Sequence, residues 1–205
     1  MKLVYYVGVG RDDGKRVGEF APVFYDRNRF NPEDSDTFWL SETPDIVSRG
    51  WDADCLRICT WVRLHDTLVP GSSFFVFNTH FDHRGPVAQD RSADLILQKI
   101  RAIAGETPFF LTGDFNLTPD TAPIRRIASE LRDCREVTET KPYGPAGTFN
   151  GFNLHGSLET PIDYIFTSRG VRVFKYATLP DNWDQRFSSD HLPVAVCAEI
   201  AAADS

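Results

Sequence analysis

The stretch NTHFDHRG, residues 78–85, places two histidines and an aspartate within four positions, His80 to His83. Such a combination is typical of a metal site, of one half of an acid–base pair, or of an ordinary strand end with polar residues. Some zinc sites are built from His-x-His-x-Asp-His, but here Asn78 stands where the first histidine would be. An amide is a poor zinc ligand beside imidazole, so the zinc interpretation loses a ligand.

Three further polar clusters lie at the ends of predicted apolar strands. PFFLTGDFN ends in Asp114 and Asn116, TPIDYIFTS carries Asp163, and SSDHLPV carries Asp190 and His191. Carboxylates and amides in such places can hold a water, a metal ion or a phosphate oxygen, whereas the plainer interpretation is a local turn or cap. An unpaired buried carboxylate is costly, so we expect Asp163 to have a partner such as a histidine.

A glycine-rich segment near the amino terminus, GRDDGKRVGEF, places Arg11 and Glu19 on either side of a turn. Taken by itself, this segment is most simply a solvated loop. In that interpretation neither side chain has a chemical role.

The elements that must position these residues can be predicted from apolar periodicity. Strand patterns occur at residues 3–9, 22–25, 38–40, 58–64, 74–78, 109–112, 162–167, 171–176 and 194–200. Helical spacing covers residues 87–104, and a shorter helix is expected at 122–131. The Gly- and Pro-rich segment 139–160 predicts a long loop of a kind that is often functional. The sequence therefore predicts an α+β fold.

Length and charge limit the class of protein. The 205 residues, 41% hydrophobic and 25% charged, predict one soluble globular domain, 1–205. A formal net charge of −7 without a basic run argues against tight binding of duplex nucleic acid, but it is neutral about hydrolysis. No apolar stretch is long enough to span a bilayer.

The four cysteines, Cys55, Cys59, Cys134 and Cys197, have no zinc-ribbon spacing. Cys59 and Cys197 stand inside apolar strand patterns, so we expect both to be buried free thiols.

Taken together and in this order, Glu19, the NTH ending at His80, GDFN, IDYIF and SDHLPV resemble the endonuclease/exonuclease/phosphatase superfamily, from about residue 4 to 200. The combination of GDFN with SDHLPV carries the resemblance, since either motif alone is weak. It implies a four-layer sandwich of two packed mixed β-sheets flanked by helices. It also implies a Mg²⁺- or Mn²⁺-dependent phosphoesterase that hydrolyses a phosphodiester, in nucleic acid or a small molecule, by in-line attack of water.

Two alternatives to this activity stay open. The first is a catalytically impaired relative that keeps the fold for binding. The second is a zinc hydrolase built on residues 80–83, which the family resemblance disfavours because its histidine after Asn-Thr belongs to a phosphate site.

The resemblance implies a role for each matching residue. Asp114 matches the aspartate that orients or deprotonates the attacking water, and Asn116 matches the amide that holds a phosphate oxygen. Asp190 resembles a metal ligand, together with Asp114. His191 resembles the histidine beside the scissile phosphate, and Asp163 the carboxylate that orients its ring.

The remaining roles concern the second histidine and the substrate. His80 resembles the second active-site histidine, with Glu19 as its expected carboxylate partner. Arg57 resembles a phosphate-contacting arginine, and Arg11 is expected to bind substrate with it. Asp82, like His83, matches no role and is interpreted as a loop residue.

The chain also departs from the family pattern. A first strand with an asparagine, and a later strand ending in Gln-Glu whose glutamate is the principal metal ligand, have no counterpart in the sequence. We therefore expect the first strands of the fold to be missing, the metal site to be weak, and an exposed sheet edge to promote self-association. No signal-peptide pattern follows Met1, and the compartment is left open.

Overall fold

The computed structural model of the protein describes residues 4–200. The strands are β1 (Val4–Val7), β2 (Val23–Asp26), β3 (Phe30–Trp39), β4 (Ile58–Asp66), β5 (Ser73–His80), β6 (Phe109–Asp114), β7 (Arg132–Asp133), β8 (Asp163–Thr167), β9 (Val171–Thr178) and β10 (Val194–Ile200). The helices are α1 (Pro86–Ala104), α2 (Ala122–Glu130) and the short α3 (Cys134–Val137). The nine predicted strands and the two predicted helices are all present, with shifted ends.

The larger sheet has six strands in the order β3-β4-β5-β6-β8-β7. Only β5 and β6 run parallel; the other neighbours are antiparallel, so the sheet is mixed. A parallel pair needs a crossover connection, and α1 supplies it. As a result, β5 and β6 end at the same edge of the sheet.

The main core lies between this sheet and the helices α1 and α2. Alternate residues of β5 and β6 face the helices, including Phe75, Phe77 and Leu111. Helix α1 contributes residues at three-to-four spacing, among them Ile96 and Ile100. This packing accounts for the helical pattern at residues 87–104.

The opposite face of the larger sheet is covered by two separate antiparallel pairs, β1–β2 and β9–β10. Val23 of β2 packs on Val62 and Leu64, and Val173 of β9 packs on Ile165. Helices, larger sheet and paired strands thus form three layers within residues 4–200, of the four layers that the family resemblance implies. The α+β class with packed sheets is confirmed.

Two cavities lie over the larger sheet between the strand pairs, and together we call them the intersheet groove. The cavity at the polar sheet edge has a volume of about 520 Å³ and the other has about 620 Å³. Its apolar lining away from the polar sheet edge includes Phe30, Phe74, Phe110, Phe174, Ala198 and Ile200. The larger sheet forms the floor of the groove.

Several local expectations were wrong. Strand β3 begins at Phe30 rather than near Phe38, and β7 and α3 were not predicted. Cys59 is buried as expected, but Cys197 is exposed because every second residue of β10 faces outward. All four cysteines are free.

No helix within residues 4–200 combines the length and apolar character needed to cross a membrane.

Candidate active site

Four of the predicted residues meet at one edge of the larger sheet. His80 ends β5, Asp114 ends β6 and Asp163 begins β8, and the register pairs His80 with Asp114 and Asp114 with Asp163. His191, three residues before β10, reaches this edge from the second layer. His80, Asp114 and Asp163 line the larger-sheet side of the 520 Å³ cavity of the intersheet groove. The topology therefore brings together residues that are far apart in sequence.

Gly113 allows β5 and β6 to approach each other at this point. A Cβ atom on Gly113 would lie only 2.1 Å from the carbonyl oxygen of its strand partner Thr79. No larger residue fits there without moving the backbone. The glycine of GDFN thus serves to deliver Asp114 beside His80.

His191 and Asp163 form a hydrogen-bonded pair, with 2.8 Å between Nδ1 and Oδ2. This is the kind of partner expected for Asp163. The hydrogen bond that His191 donates to Asp163 raises the pKa of His191 above its usual value, although burial alone would lower it. The other ring nitrogen, Nε2, lies 3.8 Å from Oδ2 of Asp114. A proton on that nitrogen is therefore directed toward the second carboxylate.

The long loop before β8 holds this pair in place. The buried hydroxyl of Thr148 accepts a hydrogen bond from the backbone N–H of Asp163 at 3.1 Å. The buried amide of Asn150 donates to the carbonyl of Ser189 at 3.1 Å. One loop thus ties the strand that carries Asp163 to the segment that carries His191.

Phe149 on the same loop contacts the imidazole of His191 edge-on, with 5.1 Å between ring centroids. Its side chain is 48% exposed, and that of Phe152 is 64% exposed. The exposed surface of both rings is more than packing in the core would leave. Their position in a Gly-rich loop, outside any strand or helix face, is the signal that could have indicated it.

Asp114 and Asn116 form a compact turn after β6. Oδ1 of Asp114 accepts the backbone N–H of Asn116 at 2.8 Å, and the Asn116 side chain donates to the carbonyl of Phe81 at 3.1 Å. Asn116 has a φ of 51°, a left-handed conformation that asparagine tolerates. Burial alone would raise the pKa of Asp114, but hydrogen bonding and charge from His80, with the Asn116 N–H, lower it overall.

His80 is held by Asp114 rather than by Glu19. Its Nε2 lies 3.2 Å from Oδ2 of Asp114, whereas its Nδ1 lies 3.8 Å from Oε2 of Glu19, too far for a hydrogen bond. The expected pairing of Glu19 with His80 is therefore present as an ion-pair contact rather than as a hydrogen bond. Arg11 forms a hydrogen bond with the same oxygen of Glu19.

Arg11 and Arg57 lie next to Glu19. The turn that carries Arg11 is closed by a hydrogen bond from the backbone N–H of Arg11 to the carbonyl of Glu19. The carbonyl of Arg11 accepts the indole N–H of Trp39 at 2.7 Å. Arg57, directly before β4, is 6% exposed, and its Nη2 lies 3.1 Å from Nδ1 of His83. The two arginines and His80 surround a very small pocket.

Asp82 has a structural role that the sequence did not reveal. It is 1% exposed, and its carboxylate accepts four backbone N–H groups, from Asp54, Cys55, Arg84 and Gly85. These hydrogen bonds lower its pKa strongly despite the opposing effect of burial.

Within residues 4–200 the histidines and aspartate of the HFDH segment do not form a potential metal-binding group. The zinc-cage alternative therefore finds no support in this part of the chain. For the structural role of Asp82, the signal in the sequence was a polar residue that closely follows the strand ending at His80.

A potential metal site is formed by Asp114, Asp163 and His191, whose ligand atoms lie within 4.8 Å of one another. Two carboxylates suit Mg²⁺ or Mn²⁺, which prefer oxygen ligands, and Mg²⁺ usually retains several waters. Asp190, the predicted partner of Asp114, lies outside this group, although its charge contributes to the raised pKa of His191. The metal role of Asp190 stays a prediction.

Comparison with known proteins agrees with this geometry. Residues 15–191 match the model of the Endonuclease/Exonuclease/phosphatase family. A mannosyl-6-phosphatase structure from Bacteroides thetaiotaomicron is 38% identical, with a TM-score of 0.92 over 96% of this chain and 77% of that one.

Two further relatives extend the comparison. A structure of the same family from Bacteroides vulgatus is 39% identical, with a TM-score of 0.90 over 97% of this chain and 77% of that one. An uncharacterised protein of Acanthamoeba polyphaga mimivirus is 27% identical over 86% of this chain and 69% of its own length. The chain belongs to the endonuclease/exonuclease/phosphatase family.

Proposed function

We propose that the protein is a divalent-metal-dependent phosphoesterase that hydrolyses a phosphodiester by in-line attack of water. One observation carries the proposal: two imidazoles and two carboxylates from four separate segments converge on one cleft at the edge of the sheet. The family as a whole comprises metal-dependent enzymes that act on phosphate esters, which supports the reaction class.

In this proposal His191 is the general acid. Asp163 holds its Nδ1, so the imidazole keeps one orientation, and the raised pKa keeps a proton available on Nε2 near neutral pH. That proton is transferred to the departing alkoxide. General acid catalysis of this kind contributes about 10²–10⁴ in rate.

Asp114 is proposed to orient or deprotonate the attacking water. Its lowered pKa keeps it ionised, and His80 and the N–H of Asn116 fix its two oxygens. The Asn116 amide uses one N–H on Phe81, which leaves its second N–H to hold a phosphate oxygen.

Arg57 and Arg11 are proposed to bind the substrate through its anionic oxygens. A Mg²⁺ or Mn²⁺ ion held by Asp114 and Asp190, as predicted from the sequence, would stabilise negative charge on the phosphoryl oxygens. Glu19 is left without a proton-transfer role here, because its carboxylate is bound to Arg11.

A second candidate function is hydrolysis of a sugar phosphate monoester. Its specific support is the mannosyl-6-phosphatase from Bacteroides thetaiotaomicron, which is 38% identical over nearly the whole chain. The net charge of −7 also suits a small substrate better than a long polyanion.

The decisive experiment compares three substrates with Mg²⁺ or Mn²⁺ present: bis-p-nitrophenyl phosphate, p-nitrophenyl phosphate and mannose 6-phosphate. Asp114→Asn and Asp163→Asn should each lower kcat by about 10²–10⁴-fold without changing Tm. Asp34→Asn, an exposed aspartate on β3, is the matched control and should leave kcat unchanged.

The substrate profile separates the candidates, since a diesterase favours the first compound and a sugar phosphatase the last. Unchanged turnover in both site variants would refute the catalytic assignment. No turnover of any substrate by the wild-type protein would favour an impaired relative that retains the fold for binding.

A further inference from the structure

Three donor groups surround one carboxylate oxygen, Oε2 of Glu19. Nη1 of Arg11 forms a hydrogen bond with it, and both Nη1 of Arg57 and Nδ1 of His80 lie 3.8 Å away. The Glu19 side chain is 61% exposed, whereas the Arg57 side chain is only 6% exposed. A surface carboxylate thus covers a buried guanidinium group.

The two arginines have more donors than Glu19 can satisfy. Nε and Nη1 of Arg57 and Nε of Arg11 are buried and have no hydrogen-bond partner. The nearest carboxylate to Nε of Arg57, that of Asp82, lies 3.6 Å away and is already engaged by four backbone N–H groups. Buried donors without partners are rare because each loses its hydrogen bonds to water on folding and gains none in return. Such donors favour a ligand rich in oxygen.

This pocket lies on the far side of the His80 ring from the carboxylate pair. Nε2 of His80 faces Asp114, where the scissile phosphoryl group is proposed to bind, and Nδ1 faces Glu19. A group that replaces the Glu19 carboxylate would therefore be separated from the reacting phosphorus by one imidazole ring.

We propose that the pocket of Arg11, Arg57 and His80 binds a second anionic group of the substrate and that Glu19 occupies it in the free protein. A phosphate offers more oxygens than a carboxylate and matches the planar donor fork of a guanidinium group. Glu19 can leave because it is mostly exposed. The inference rests on the proposed function in taking the Asp114 side of the ring as the reaction site, and it defines the substrate class as one with two anionic groups.

The first test measures binding of inorganic sulfate to the metal-free protein by calorimetry, without any turnover. Glu19→Gln should bind sulfate about tenfold more tightly than the wild type, because a competing internal charge worth about 1.4 kcal/mol is removed. Glu33→Gln is the matched control, since Glu33 pairs with Arg63 at 3.0 Å on the distant β3–β4 edge and should leave sulfate affinity unchanged.

The second test adds Arg57→Met and Arg11→Met in the Glu19→Gln background. Both should abolish the gain in sulfate affinity. If Arg57→Met fails to fold, Arg11→Met still decides the question, because Arg11 lies on a surface turn. Equal sulfate affinity in the wild type and in Glu19→Gln, or a gain that survives Arg11→Met, would overturn the proposal.

The third test asks which anionic group enters the pocket. It compares kcat/KM for a dinucleotide with and without a terminal phosphate, and for a sugar bisphosphate and the matching monophosphate. Glu19→Gln should raise kcat/KM only for the compound with the additional phosphate. An equal gain for both members of a pair would assign the pocket to the scissile phosphoryl group and contradict a second site.

These tests separate the inference from the proposed function. If sulfate affinity changes in the Glu19 and Arg11 variants but the protein has no turnover, the anion pocket is supported and the proposed enzymatic function is refuted. If turnover depends on Asp114 but sulfate affinity does not change in Glu19→Gln, the enzymatic function is supported and the anion pocket is refuted.

Discussion

At the scale of residues, the site is organised around two carboxylates that face each other. Asp114 and Asp163 are register partners on β6 and β8, and like charges directly opposite in a sheet are unfavourable. His80 lies 3.2 Å from the first and His191 lies 2.8 Å from the second. Each carboxylate therefore has its own imidazole as a partner.

The same geometry leads to a prediction about metal binding. Oδ2 of Asp163 is held by His191, so we expect Asp163→Asn to change Mn²⁺ affinity by less than threefold. Asp114→Asn and Asp190→Asn should each weaken it about tenfold or more, because each removes a proposed charged oxygen ligand. Electron paramagnetic resonance of free Mn²⁺ measures all three. If Asp163→Asn binds Mn²⁺ most weakly of the three variants, the prediction is contradicted, and the ion is bound by Asp114, Asp163 and His191 instead.

Asp133 on β7 gives a prediction about pH. Burial raises its pKa to about 6, although the N–H of Arg135 opposes the shift. Because this pKa lies above the ordinary value of 3.8, the stability that Asp133 contributes is full below about pH 4 and is lost as the pH rises through about 6. Asp133→Asn should therefore be more stable than the wild type at neutral pH, by about 1–2 kcal/mol.

Urea denaturation at several pH values between these limits tests the sign. The advantage of Asp133→Asn should disappear in acid, and Asp34→Asn, an exposed aspartate, should follow the wild type throughout. Parallel curves for Asp133→Asn and the wild type would contradict the prediction.

The sequence predicted which residues meet at the sheet edge better than it predicted their contacts. Asp163 was expected to need a histidine because its strand is otherwise apolar, and His191 is that partner. The partner of Glu19 could not be predicted in the same way. It depends on the turn that brings Arg11 beside Glu19, and no apolar pattern determines the geometry of an exposed turn.

At the scale of elements, burial explains both the successes and the errors. Helix α1 and strands β5 and β6 each have a buried face, so the apolar periodicity of the sequence predicted them. After Phe30, strand β3 continues with the polar, Pro-containing NPEDSD, and it carries an irregularity between Pro32 and Asp34. Within residues 4–200 its one strand neighbour is β4. Edge strands carry such residues because one side of the strand faces solvent, so they lack the apolar signal.

The error at Cys197 comes from the overall apolar content of its strand rather than from the alternation of that strand. Strand β10 is VAVCAEI, and the period of two places Cys197 on the face of Ala195 and Glu199. In the structure Val194, Val196 and Ala198 face the core, and Cys197 faces outward.

The start of α1 gives a prediction about helix capping. Gly85 at the N-cap has no side chain, and the Asp52 carboxylate from a distant loop accepts the N–H groups of Val87 at 3.3 Å and Ala88 at 2.7 Å. Asp52→Ala should lower the free energy of unfolding by about 1 kcal/mol, measured by urea denaturation. Asp52→Asn keeps an acceptor and should lose less; an equal loss in both variants would mean that charge, and not capping, is responsible.

At the scale of the whole molecule, the layer of paired strands consists of two separate sheets, β1–β2 and β9–β10. Each strand of the β1–β2 and β9–β10 pairs has one strand neighbour within residues 4–200. The loop residues Glu139 and Tyr143 form backbone hydrogen bonds with the outer edge of β9, whereas β10 has no second strand partner in this part of the chain. The intersheet groove between the two pairs has a floor that includes Phe74 and Phe110. Free edges beside apolar surface are the usual route by which sheets pair with another chain.

We therefore expect the isolated 205-residue chain to self-associate and to bind an apolar fluorescent dye. Size-exclusion chromatography with light scattering over a range of concentrations measures the first property, and dye fluorescence the second. Ala198→Lys places a charge in the lining of the groove and should reduce both, while Ala195→Lys, on the exposed face of the same strand, is the matched control. A concentration-independent monomer without dye binding would show that the groove is closed in solution, by rearrangement of the two strand pairs.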